Sequence, residues 1–314
     1  MIDRAEFRRT DPDWLDEAWG RARIFAVHGG RVSALVDTRT ALAPGSGAAP
    51  DARGDDLSAG NLSAGERTAG EDVASGGSVG ERSVDDWSVG ERLFLGVDAD
   101  GTPYFAVMAE VPDMTGLRDV LLDPPSPLFA DLALAAVALA NWHESHRFHP
   151  RTGAPTRPVH AGWVQRAEAG DLTWPRTNPA VLVLIHDGVP GDEGRCLLSR
   201  NTARPEGWRS VTAGFVSPGE SLEGTVARES AEELGVTVSD IRYVASECWP
   251  FADELMVGFT ALADPAQPLV LDPTEIAEAE WHSRADLRAT DLVLPSRISI
   301  SRLLIDNWLA GKLP

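Results

Sequence analysis

The sequence predicts an α/β protein built in two parts, and three observations carry that reading. The chain has 314 residues with a 43% hydrophobic fraction, enough for two ordinary domains. Short β-type apolar runs alternate with helical segments in both the N-terminal and C-terminal thirds. Between those thirds the composition shifts sharply twice, at Pro44 and again after Glu91.

Asp13 to Trp19 reads as a short helix. Arg23 to Val27 and Val32 to Val36 read as strands around the turn Gly29-Gly30. Pro44 to Glu91 is rich in Gly, Ser, Ala, Asp and Glu. It carries a loose repeat, Ser63 to Arg67, Ser78 to Arg82 and Ser88 to Arg92. The repeats have almost no apolar positions to stack, so the spacing predicts a disordered acidic insertion rather than a solenoid. Strand signals return at Leu93 to Val97 and Tyr104 to Val107, and Asp131 to His143 is an alanine-rich helix. Residues 1–142 are therefore expected to form a smaller α+β domain with the insertion looped out. Residues 143–178 form a connector whose stretch Arg147 to Thr177 is polar and irregular. Residues 179–314 resume an α/β pattern: strands at Val181 to Ile185 and Cys196 to Ser199, and the run Arg209 to Phe215. A helix at Leu222 to Leu234, strands near Ile241 to Ser246 and Leu255 to Ala263, and a helix at Ser296 to Leu309 complete it.

The formal net charge of −20 disfavours nonspecific binding to nucleic acid, so a polyanionic substrate needs metal ions or a local arginine patch to approach. No run of 18 apolar residues exists, the longest candidate being Leu132 to Ala140, so no membrane span is expected. The polar start shows no signal peptide. Cys196 and Cys248 are too few for a disulfide framework or a cysteine zinc site, and a cytoplasmic setting fits.

The chemistry concentrates between Gly214 and Val236. Ser221 is an N-cap after the turn Pro218-Gly219, and Gly235 stands where a C′ glycine belongs. Leu222, Val226 and Leu234 can face a core. Glu229, Glu232 and Glu233, spaced i, i+3 and i+4, share one side of the helix. Such like charges repel by roughly 0.2–0.5 kcal/mol per pair; Arg228 offsets part of this, and a divalent cation would offset far more. A solvated acidic face is the simpler account of three glutamates alone. The whole pattern is more demanding: G, five residues, E, seven residues, then R-E-U-x-E-E-x-G-U with U bulky and apolar. It resembles the box of the Nudix hydrolases at every charged and glycine position, with Ser230 in place of one aliphatic residue.

That resemblance implies a Nudix α/β/α sandwich and a dependence on Mg²⁺ or Mn²⁺. It implies metal ligation by Glu229 and Glu233 with Glu232 assisting. An ion pair between Glu220 and Arg228 would lock the loop to the helix, and water would attack phosphorus. Glu220, Arg228, Glu232 and Glu233 form the implied catalytic set.

Further stretches resemble the NADH pyrophosphatase branch of that family. They are Arg147 to Thr156 with Ala161 to Trp163 and Trp174 to Pro179, Ser246 to Phe251 with Leu255-Met256, and Glu275 to Trp281 with Leu294 to Ile300. The resemblance covers about 140 to 310. The first group is similar to the branch's zinc ribbon without its cysteines, as in actinobacterial members. His149 and Thr152 stand where the first cysteine pair would be, and the second pair falls around Ala167 to Gly170, so no structural zinc is expected; a lone histidine there is expected at the surface. The second group resembles the signature S-Q-P-W-P-F-P-x-S, with Glu247, Cys248, Ala252 and Glu254 replacing its residues. Carboxylates added there are expected to repel a dinucleotide.

By position, the branch implies Glu275 as a further metal ligand, with Glu278 a neighbouring candidate. It implies Phe215 and Trp174 sandwiching a base, Trp174 from a second subunit; Trp249 and Phe251 at the pocket wall and dimer contact; and Ser246 in the substrate site. The implied reaction is hydrolysis of NAD(H) to NMN(H) and AMP in a homodimer, extending to NAD-capped RNA. Two alternatives stay open: a Nudix enzyme acting on another nucleoside diphosphate derivative such as ADP-ribose, and a non-catalytic nucleotide-binding module.

Overall fold

The short β-type apolar runs pair into sheets, and the alternation of their side chains decides what covers each face. The computed structural model describes residues 2–37 and 92–313. The predicted insertion at 44–91, with its repeats, lies outside the described residues. The described chain divides into two compact units, residues 2–37, 92–176 and 250–253 in the first, and 177–249 and 254–313 in the second.

The first unit is built on six strands: β1 (Arg23–His28), β2 (Arg31–Val32), β3 (Val36–Asp37), β4 (Arg92–Val97), β5 (Pro103–Met108) and β6 (Thr115–Gly116). Their order is β4-β5-β1-β2-β6, with β3 also on β1. Residues of β1 alternate between two cores. Phe25 and Val27 join Leu132, Ala136 and Val137 of the helix α3 (Pro127–Ser145), while Ile24 and Ala26 join Leu15 and Trp19 of α1 (Pro12–Trp19). A short helix α2 (Leu117–Leu122) also sends Leu117 and Val120 into the first core.

The expected strand Val32 to Val36 is interrupted. The Ser33 hydroxyl accepts the Ala26 N–H at 2.9 Å, which breaks the ladder into β2 and β3. The helix α3 starts at Pro127 rather than Asp131 because Ser126 caps it, accepting from Phe129 N at 3.1 Å, with proline in its first turn.

The stretch Arg147 to Thr177 is not irregular. It forms an antiparallel three-stranded sheet from β7 (Thr156–Val159), β8 (Val164–Ala167) and β9 (Leu172–Thr173). Strands this short lack enough alternation to be read locally. His149 is 5% exposed, not a surface residue; its Nδ1 accepts from Thr152 N at 3.3 Å, which gives the buried ring a partner.

In the second unit β10 (Asn178–His186) is central. It pairs in parallel with β14 (Glu254–Leu262) and antiparallel with β11 (Arg195–Asn201) and β12 (Thr212–Phe215). With β13 (Ser239–Trp249) and β15 (Ile276–Ser283) the order is β13-β14-β10-β11-β15. Val181, Val183 and Ile185 pack against Val226 and Leu234 of α4 (Leu222–Leu234). Beside β10, Gly258 lies under Ile300 and Leu304 of α6 (Ile300–Leu309). Helices thus cover both faces, an α/β/α sandwich, with a short α5 (Arg284–Arg288) following β15. The last helix begins at Ile300, four residues later than expected, after the cap Ser299. Among the described residues no helix is long and apolar enough to cross a membrane.

Candidate active site

The site grows from the two ends of α4. Ser221 caps the N-terminus, accepting from Gly224 N at 3.1 Å. Gly235 closes the C-terminus in the left-handed region at φ 71°. Ser230, at the aliphatic position of the box, is fully buried and returns its hydroxyl to Val226 O at 2.7 Å. The polar side chain is therefore satisfied inside the helix.

Arg228 organises the loop before the helix. Its Nε donates to Glu220 Oε1 at 2.7 Å and its Nη2 to Glu220 Oε2 at 2.9 Å and to Phe215 O at 3.0 Å. Its Nη1 lies 2.8 Å from both Glu229 Oε1 and Glu232 Oε2. Glu220 also accepts from Ser217 N and from the Thr225 hydroxyl. The Arg228 guanidinium first, then the Ser217 N–H, hold the Glu220 carboxyl down at about 2. One cation thus pins the loop and three carboxylates.

The three box glutamates do not share one environment. Glu232 is turned outward to Arg228, its side chain 60% exposed. Glu229 is 12% exposed and its carboxylate lies directly over Gly214. A Cβ at Gly214 would fall 2.0 Å from Glu229 Cδ, so the glycine exists to admit that side chain. Burial raises the Glu229 carboxyl, against the pull of Arg228. Glu233 is 6% exposed, and its Oε2 has no hydrogen-bond partner. Burial above all, then repulsion from Glu229, Glu275, Asp272 and Glu232, pushes its carboxyl up to about 8.

Glu233 and Gly214 line a cleft in the second unit with Phe215, Met256 and Ile276, at the end of β10 where β12 and β14 flank it. Sequence reasoning missed Trp208 and Arg204 there, while Glu254 stands on the cleft wall as a carboxylate the altered signature had pointed to. Trp208 lies under the Arg204 guanidinium at 4.8 Å, and Glu254 is a buried carboxylate of the same wall. Trp208 and Arg204 sit in a turn between strands with no local motif to mark them. Asp272, whose side chain accepts from Thr274, was also missed.

The other expected site residues are scattered. Glu275 is near enough to raise both Glu229 and Glu233. Glu278 is instead held by Arg200 and Arg209, with Arg200 Nε at 3.1 Å. Ser246 and Trp249 lie on β13 and not on the cleft wall; Ser246 is exposed and Trp249 buried. Trp174 belongs to the first unit and is 57% exposed. Phe251 is also in the first unit, packed on its core under the Arg118 guanidinium at 4.3 Å. The apolar ring is partly buried there. Glu247 points away from the cleft too, accepting from Ile300 N at 2.8 Å at the start of α6, so it adds no charge beside a ligand in the cleft.

Among the described residues, no three acidic, histidine or cysteine side chains are gathered as they stand around one point that could hold a metal ion. The donor set still fits a divalent cation. Glu233 offers an orphaned, buried carboxylate oxygen whose proton affinity burial raises, and Glu229 offers a second carboxylate paired with Arg228. Carboxylate oxygens of this kind are what Mg²⁺ takes, and a cation would replace the proton.

A family model described as the NUDIX domain matches residues 176–303. A Mycobacterium tuberculosis protein named NAD-capped RNA hydrolase NudC is 41% identical over 245 residues, covering 70% of this chain and 76% of the relative. Proteins of the same name from Pseudomonas putida and Salmonella typhi are 37% and 35% identical. The first spans 68% of this chain and 76% of the relative, the second 71% and 82%.

Proposed function

The chain belongs to the Nudix family, in its NADH pyrophosphatase branch, and from that premise we propose that it hydrolyses the diphosphate bond of NAD(H) to NMN(H) and AMP, and removes NAD caps from RNA. The observation that carries the reading is the unpartnered oxygen of Glu233 in a cleft beside Phe215, next to Glu229 over Gly214. Buried carboxylates that repel one another have no structural use; they suit a site meant to receive positive charge and a phosphate.

Glu229 and Glu233, with Glu232 and Glu275 beside them, are the residues that would hold Mg²⁺ or Mn²⁺. Such a cation polarises phosphate oxygens and acidifies bound water. The chain's own part is positioning. Arg228 fixes Glu220, Glu229 and Glu232 in one network, so the carboxylates do not rearrange on binding. Phe215 offers a flat face for a base, and Arg204 brings a positive charge to an otherwise acidic cleft. The sequence's resemblance to that branch extends the proposal to a homodimer, with Trp174, Trp249, Phe251 and Ser246 as substrate-site candidates. Cys196 and Cys248 are not joined in a disulfide, which fits a cytoplasmic setting.

The altered signature, with Glu247, Cys248, Ala252 and Glu254 in place of its residues, favours one second reading, hydrolysis of another nucleoside diphosphate derivative such as ADP-ribose. Hydrolysis rates on NADH, NAD⁺, ADP-ribose, FAD and diadenosine polyphosphates with Mg²⁺ or Mn²⁺ decide between them. Equal or faster cleavage of ADP-ribose would remove the NAD(H) assignment. Binding without cleavage of any substrate would make the chain a nucleotide-binding module.

A further inference from the structure

We propose that the first unit carries a second binding site, for a phosphorylated small molecule of mononucleotide size, in the groove where the start of α1 meets β7 and β8. The groove encloses about 430 Å³, within the range of small-molecule sites, and Arg9, Arg157, Arg166 and His160 line it with no acidic residue. The chain carries 48 acidic residues against 28 Lys and Arg, so a pocket with three guanidiniums and no carboxylate is a marked local exception.

The register makes the concentration sharper. Arg157 and Arg166 are directly opposite on the antiparallel pair β7–β8, so their side chains share a face. Like charges in that position destabilise a two-strand pairing unless something neutralises them. Among the described residues neither has an ion-pair partner, the nearby Asp171 being paired with Arg151. Arg9 is stacked on Trp163 at 3.8 Å, and its buried Nε has no acceptor. The nearby acids do not fill the role. Asp11 is taken by Arg8 and by the cap of α1, and Glu6 acts on Arg9 against the opposing charge of Arg4. An anion accepted by the guanidinium forks would satisfy all three arginines at once.

The backbone at the groove is strained. His160 and Ala161 stand consecutively in the left-handed region, at φ 49° and 50°. Such a conformation is strained for a non-glycine residue and persists where its surroundings hold it. Here the next carbonyl, Gly162 O, is held by buried His143 Nε2 at 2.7 Å. Pro12, Leu15 and Val159 supply an apolar wall that suits the nucleoside part of a ligand.

The test uses the full-length protein in metal-free buffer, with AMP as probe and adenosine as the phosphate-free control, read by calorimetry. AMP binds, adenosine does not, and Arg157→Ala/Arg166→Ala weakens AMP binding at least about 10-fold. Arg157→Lys/Arg166→Lys restores part of it and less than the parent, because the charge remains while the guanidinium fork is lost. Thermal melting no lower than the parent's shows that the variants fold. AMP bound equally by the alanine variant, adenosine bound as tightly as AMP, or no AMP binding by the parent chain overturns the proposal. NAD⁺ hydrolysis stays within twofold in both variants; its loss in the parent chain would count against the catalytic reading and not against this groove.

Discussion

Glu233→Gln separates the two forces acting on the candidate site. In the metal-free protein the Glu233 carboxyl is raised from 4.5 to about 8, by burial first and then by its acidic neighbours. A raised folded value means that the native state holds the proton more tightly than the unfolded chain. The resulting stability is fully present below the unfolded value and is lost as pH rises from about 4.5 through 8. Between pH 5 and pH 8 that loss is on the order of 3 kcal/mol, at roughly 1.4 kcal/mol for each tenfold difference in proton affinity between the folded and unfolded chain. A glutamine does not titrate, so the variant escapes it. The pH-independent cost of burying an amide cancels when the variant's advantage at pH 8 is compared with that at pH 5. In chelator-treated protein, thermal melting should show this advantage growing by on the order of 10 °C between the two pH values. Mg²⁺ should then stabilise the parent chain and not the variant, while turnover falls at least about 100-fold. An advantage independent of pH would refute the account of why Glu233 is protonated, and near-normal turnover would refute its place in catalysis.

Three further outcomes follow from the same geometry. Gly214→Ala places a Cβ 2.0 Å from Glu229 Cδ; displacing that carboxylate costs about 1–3 kcal/mol and should lower turnover at least about 10-fold, and a parental rate would show that Glu229 does not act from that position. Arg228→Ala leaves Glu220, Glu229 and Glu232 without their shared cation, so hydrolysis should drop about 100-fold and require more Mg²⁺; an unchanged Mg²⁺ dependence argues against the positioning role. Glu247, raised to about 7 by burial against the Ile300 N–H, destabilises the fold as pH climbs through 4.5 to 7. Glu247→Gln should therefore gain about 2 kcal/mol at pH 8 and little at pH 5 in urea unfolding, with hydrolysis intact; an equal gain at both pH values contradicts it.

Much of this molecule is written in short spans of chain. Ser221 and Gly235 bound a helix at Leu222 and Leu234, because cap and C′ chemistry act within one turn. The apolar runs at Val181 and Leu255 announce their strands for the same reason. The box residues are recognisable by type and spacing alone. Other features depended on partners far along the chain. Residues 276–283 mix glutamate with alanine and tryptophan, and only pairing with β11 makes them a strand. The connector became a sheet by pairing β8 on both edges. Helical spacing placed Glu229, Glu232 and Glu233 on one side, but Arg228 drew Glu232 outward while burial kept Glu233 in the cleft. Arg204, Trp208 and Glu254 entered that cleft, Glu278 was taken by Arg200 and Arg209, and Phe251 went to another core. Local propensity and spacing are settled by a residue's near neighbours. The direction of a side chain and the charge it meets are settled by segments dozens of residues away, brought together only when the sheet closes its register.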